Sequence, residues 1–201
     1  TALEEAAAAG NPDTVLLLLA SGSKVDGVPP NRFTPLMAAC LGKASPDQKV
    51  EITKLLLEKA ADVGLRRFQG CTALHFAAIA GTVPVAALLV ERGADVSATG
   101  DAGRSPLLCA AMYDREDVMA FLVTSGAKPT LATNLELAAV TEVLRRSQDG
   151  DLSLKRDQRV SLELAEGAAK LHRYLAKGAG ARSDPAAAQR NLTEAAGLFD
   201  V

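Results

Sequence analysis

The stretch from Gly70 to Val96, GCTALHFAAIAGTVPVAALLVERGADV, constrains this chain most, because it holds two short helices with their own start and stop signals. Thr72 is placed to cap the first, its hydroxyl accepting from a free N–H of the opening turn. Leu74, Ala77 and Ala78 recur at helical spacing, with small alanines where a neighbouring helix must come close. Gly81 ends that helix at low steric cost, and Pro84 suits the first turn of the next, where its missing N–H matters least. Val85, Leu88 and Leu89 form the second apolar stripe, and Gly93 closes it. Neither helix can bury its stripe alone, so the unit requires neighbours of the same kind.

The chain supplies them. Thr34-Pro35-Leu36-Met37-Ala38-Ala39 and Ser105-Pro106-Leu107-Leu108-Cys109-Ala110-Ala111 repeat the opening, 38 residues before and 33 residues after Thr72. Residues 1–22 align with 72–93 without a gap, and Asn11-Pro12 supplies a cap followed by a first-turn proline. The unit resembles the ankyrin repeat, whose period is about 33 residues and whose signature is T-P-L-H-x-A. The match is carried by Thr72, Leu74, His75, Ala77, Gly81 and Gly93-Ala94-Asp95-Val96.

That resemblance implies an all-α ankyrin-repeat solenoid, helix-turn-helix units with β-turn or hairpin fingers, followed here by a helical C-terminal extension. Units are expected near 1–32, 33–70, 71–103 and 104–130, with a partial unit at 131–147 and the extension at 148–201. The chain departs from the pattern at Ala73 in place of proline, at Glu4 in place of histidine, and in a shortened finger after Gly126 that contains Pro129. Glu4 reads as the polar change expected of a terminal repeat whose outer face meets water. The second unit holds about five extra residues around Lys43–Lys49, read as a surface loop between its helices or, alternatively, a binding element. In the extension, Val160, Leu164, Ala168, Leu171 and Leu175 step at four and three residues, an amphipathic helix. A last helix is expected after Asp184-Pro185. The extension is read as covering the open end of the array, with a partner-docking helix as the alternative.

Composition narrows the function classes. The formal net charge of −2 argues against nucleic-acid binding, which usually needs a strong basic excess. Three cysteines, Cys40, Cys71 and Cys109, share no metal-ligand spacing, and reduced thiols in an intracellular compartment are expected. No secretory signal is visible, and the densest apolar run, Val15 to Ala20, is far short of a bilayer span. The expectation is a soluble, cytoplasmic protein, with an organelle open if a targeting segment was removed. The chain starts at Thr rather than Met, so a processed form or an excised piece is also expected.

No catalytic constellation, cofactor motif or metal set emerges. The resemblance gives His75 a structural role, bonding its capping Thr and the backbone of a neighbouring repeat. His172 lies beside Lys170 and Arg173 and reads as solvated. Gly100 and Gly103 belong to a finger, not to a phosphate loop. Cys71 precedes a helix start, where a thiol pKa can be lowered, so it reads as an inert thiol or, alternatively, a redox-sensitive one.

What the resemblance implies instead is protein recognition through finger tips and the exposed side of the first helices. The fingers here are Val28-Pro29-Pro30-Asn31-Arg32-Phe33, Arg66-Arg67-Phe68-Gln69 and Thr99-Gly100-Asp101-Ala102-Gly103-Arg104. Seven residues beyond each cap stand Leu41, Ile79 and Met112, with Tyr113 after the last. Together with Phe33 and Phe68 they are expected to form an apolar strip flanked by Arg66, Arg67 and Arg104. Aromatics, Met and Arg are enriched at interfaces. The expected partner is another protein with an acidic and apolar segment, with no nucleic acid and no direct membrane insertion. The chain is then a non-catalytic adaptor or structural subunit, or alternatively a regulatory array from a longer enzyme or channel. Covering of the strip by the chain's own tail is the competing reading.

Overall fold

Several helices in this chain start at a side chain that reaches forward one turn. The hydroxyl of Thr34 accepts from the Met37 N–H at 3.2 Å, and that of Ser105 from the Leu108 N–H at 3.2 Å. Asn11 Oδ1 accepts from the Thr14 N–H at 3.1 Å, ahead of the first-turn Pro12. Each such cap satisfies a backbone donor that the helix leaves free and is worth about 1 kcal/mol. The computed structural model describes residues 1–27, 33–127 and Lys170. Within them lie eight α-helices: α1 (Ala2–Ala9), α2 (Pro12–Ala20), α3 (Pro35–Leu41), α4 (Pro46–Glu58), α5 (Ala73–Ala80), α6 (Val83–Glu91), α7 (Pro106–Met112) and α8 (Glu116–Thr124).

The helices pair as α1–α2, α3–α4, α5–α6 and α7–α8, and the pairs stack. First helices pack α1 on α3, α3 on α5 and α5 on α7, while second helices pack α2 on α4, α4 on α6 and α6 on α8. The architecture is therefore an all-helical solenoid, with no strand among the described residues. Its core runs continuously between the two rows. Leu36, Leu74 and Leu107 from the first helices, and Ile52, Leu56, Val85, Leu89, Val118 and Leu122 from the second, are fully or almost fully buried. Each large aliphatic side chain so removed from water contributes about 1.5–3 kcal/mol. Alanines at 7, 39, 77, 78, 110 and 111 are also buried and let the first helices approach closely.

The turn within a unit needs a left-handed residue. Gly10 and Gly81 supply it at φ 79° and 78°, and Asp114 takes the same role in the fourth pair at φ 55°. The second pair departs from this pattern. Gly42 sits at φ −54°, and α4 has 13 residues where α2, α6 and α8 have 9. The extra residues around Lys43–Lys49 are thus not chiefly a surface loop. Ser45 and Gln48 form reciprocal caps at 3.3 and 3.0 Å, Pro46 opens the helix, and most of the added length becomes one more turn. Lys49 on that turn donates to the carbonyl of Cys40 at 2.9 Å, satisfying the end of α3.

The fingers are tight turns. Arg67 N–H donates to the Cys71 carbonyl at 3.1 Å and Gly100 N–H to the Arg104 carbonyl at 2.8 Å, each closing one turn of 3-10 helix. The tip at 28–32, the partial unit at 131–147, His172 and the helices expected in the extension lie outside the described residues.

Candidate protein-binding face

His75 fixes how consecutive units meet. The Thr72 N–H donates to its Nδ1 at 3.1 Å, and the Thr72 hydroxyl lies 2.9 Å from the same nitrogen. A backbone N–H can only donate, so Nδ1 carries no proton and Nε2–H donates to the Arg104 carbonyl at 2.9 Å. Burial pushes the imidazole pKa below its ordinary value, against the opposing pull of the Arg104 carbonyl. The ring is a neutral strap between the third and fourth units.

Around that strap the fingers cross-brace. Arg66 Nη1 donates to the Thr99 carbonyl at 2.6 Å, and Arg104 Nη1 donates to Gln69 Oε1. Arg67 Nη1 donates to the Arg66 carbonyl at 3.4 Å. The two arginines at 66 and 104 thus spend donors on the neighbouring finger, and Arg104 Nε is buried without a hydrogen-bond partner among the described residues. Phe33 stands 5.6 Å from Phe68 and 5.4 Å from Phe76, ring centre to ring centre, the second pair edge to face. Phe33 and Phe68 are half-buried in this trio and Phe76 is buried, so they bind the finger bases to the first helices.

The co-registered residues on the first helices are more open. Leu41 is 40% exposed and Tyr113 49%, while Ile79 and Met112 between them are half-buried. Leu41, Ile79 and Met112 close successive first helices α3, α5 and α7, so they form a row across the stack beside the turns. The Ile79 carbonyl accepts from Arg115 Nε at 3.0 Å, tying the third turn to the fourth. The arrangement therefore offers an apolar row with an aromatic at one end and a braced basic finger pair at the other edge.

The thiols offer no chemistry on this face. All three are free and buried. Burial raises Cys40 and Cys109 to about 12, and it raises Cys71 as well, outweighing the nearby Arg104. The helix-start argument for a lowered Cys71 pKa is overturned by desolvation. No group of three His, Cys, Asp or Glu side chains among the described residues could hold a metal ion. No helix among them is long and apolar enough to cross a membrane.

Two features escaped sequence reasoning. Gln69 anchors Arg104 across the fingers, and nothing local marks it. Leu16 and Leu17 on α2 are 49% and 69% exposed. Their signal is the dense apolar run from Val15 to Ala20, too short for a membrane and too apolar for one buried stripe.

Comparison with known proteins agrees with this geometry. A family model for ankyrin repeats (3 copies) matches residues 3–100 and 41–133. The ankyrin repeat and KH domain-containing protein mask-1 of Caenorhabditis elegans is 37% identical over 81 residues, which is 40% of this chain. The chain spans 3% of the length of that relative. With matched residues covering more than half of its length and four stacked helix pairs in place, the chain belongs to the ankyrin-repeat family.

Proposed function

We propose that the chain is a non-catalytic adaptor or structural subunit that binds a partner protein across the row Leu41, Ile79, Met112 and Tyr113. Ankyrin arrays are generally protein-interaction modules, and the family is generally non-catalytic. The observation that carries the reading is the register of these apolar side chains on consecutive first helices, open to solvent at Leu41 and Tyr113. Contiguous apolar exposure of this kind marks interaction sites. Arg66, Arg67 and Arg104 flank the row with the phenylalanines at 33 and 68 behind them. Because Arg66 and Arg104 are braced internally, they present pre-oriented positive charge, and the partner segment they favour is apolar with an acidic flank.

The experiment is affinity capture from the source cell with the whole chain, compared with a Leu41→Ser, Tyr113→Ala variant. These two side chains are exposed, so the variant keeps its melting temperature. Partners captured by the parent and lost by the variant place recognition on the row. A partner set unchanged by the variant removes the row from the interface.

A further inference from the structure

The first helices of the second and third units end on cations. Lys49 Nζ donates to the Cys40 carbonyl at 2.9 Å at the end of α3, and Arg115 Nε donates to the Ile79 carbonyl at 3.0 Å at the end of α5. Positive charge is favoured there, because the last carbonyls of a helix carry partial negative charge. The end of α7 is built the other way. Asp114 stands at the register of Gly10 and Gly81, and it holds at φ 55° the left-handed conformation that those glycines take freely. A carboxylate just past a helix C-terminus, on backbone that favours glycine, is unfavourable on both counts. Residues held in this way collect at functional sites. Glu116 and Asp117 add two more exposed carboxylates, which suit the start of α8 as Asp114 does not suit the end of α7.

A cation is present at this turn too. Lys170 Nζ lies 2.8 Å from Asp114 Oδ2, and the Asp114 side chain remains 70% exposed. The cleft beside it, about 370 Å³, is lined by Gly81, Asp114, Arg115, Glu116, Asp117 and Val118. Arg115 is already bonded to Ile79, so the turn keeps a surplus of negative charge. An ion pair this exposed is worth little in water, and its lysine exchanges readily for another. We infer that the Asp114 turn is a socket for a lysine ammonium of the partner, with Lys170 its exchangeable internal occupant. Tyr113, the aromatic end of the apolar row, is the residue before Asp114, so a segment anchored on the row passes within reach of the socket. The segment that fits is acidic toward the fingers, apolar on the row and basic at the turn. This deepens the reading of the row and rests on it for the partner, whereas the socket is tested without it.

The test uses the whole chain, carrying 13C at its aspartate carboxyls, and acetyl-trilysine amide as the probe at low ionic strength. Titration should shift the Asp114 carboxyl resonance saturably, with a dissociation constant about threefold lower in Lys170→Gln, which vacates the socket. In Asp114→Asn, followed at the neighbouring amides, the constant should be about threefold higher than the parent's. Asparagine tolerates the left-handed turn, so that variant keeps its fold. No saturable shift, or equal affinities in the parent and both variants, overturns the socket and leaves only general attraction to negative charge. Trilysine has no apolar anchor, so the two readings fail separately. A partner lost with Leu41→Ser, Tyr113→Ala while the titration fails keeps the row and sinks the socket.

Discussion

The imidazole of His75 and the backbone carbonyl of Arg104, 29 residues apart in the chain, are joined at 2.9 Å by a bond that only the neutral ring with its proton on Nε2 can make while accepting from Thr72. Protonation would place a second N–H against the Thr72 N–H, in a site with little water.

The consequence is a stability that depends on pH. Burial holds the folded pKa of His75 below its ordinary 6.5, so the unfolded chain binds the proton first as the solution is acidified. The stabilisation is complete above about 6.5 and is lost progressively as pH falls below it. Urea unfolding at pH 7.5 and 5.5 should show a lower midpoint at 5.5. A His75→Leu variant should lose about 1–3 kcal/mol at pH 7.5 and show a smaller drop between the two conditions.

Thr53 is expected to respond in the opposite sense. Its hydroxyl is buried without a hydrogen-bond partner, on α4 at the register where Val15, Ala86 and Met119 stand in the other second helices. An unmet buried hydroxyl costs about 1–3 kcal/mol. Thr53→Val should therefore raise the urea midpoint, and a midpoint equal to or below the parent's would contradict the unpaired state.

Gly42 is a glycine for reasons of space. Its φ of −54° suits any residue, yet a Cβ there would lie 2.8 Å from the backbone carbons of Ala8. Gly42→Ala should cost about 1–3 kcal/mol, since backbone cannot move aside as a side chain can. Denaturation of the variant measures this directly, and a neutral result would mean that α1 and the end of α3 are farther apart.

Thiol labelling should be slow throughout. With Cys40 and Cys109 at about 12 and Cys71 also raised, an aromatic disulfide reagent at pH 8 should react with none of the three in the folded chain. All three should react within the mixing time in urea. Rapid native labelling of Cys71 would restore the thiolate that its helix-start position suggests.

Much of this architecture is legible in the residues themselves. Periodic leucines, capping hydroxyls before proline and glycine at the turns act locally, so one repeat read correctly locates the others. The role of His75 was legible through the ankyrin resemblance, which implied its bonds to Thr72 and to the backbone of a neighbouring repeat. The cross-finger braces were not, because Arg66 meets Thr99 and Arg104 meets Gln69 across 33 and 35 residues, with no pattern along the chain to announce either bond. The state of Cys71 was not legible either, because proximity to a helix start is visible in sequence and depth is not. The second unit's insertion carried its own answer: Ser45-Pro46 followed by Gln48 is the same cap and first-turn proline that was recognised at Asn11-Pro12.

That extra turn of α4 has a further consequence for how such a chain can change length. A helix advances one turn in about 3.6 residues, so an insertion of four returns each later side chain close to its former azimuth. Ile52, Leu56 and Leu57 accordingly still point inward, with Lys49 closing the gap at the end of α3. Insertions of one or two residues at the same place would instead rotate this inward set toward solvent. The permitted lengths at this joint are therefore spaced by whole turns, and growth there leaves the opposite row of first helices, with its spacing of side chains, unaltered.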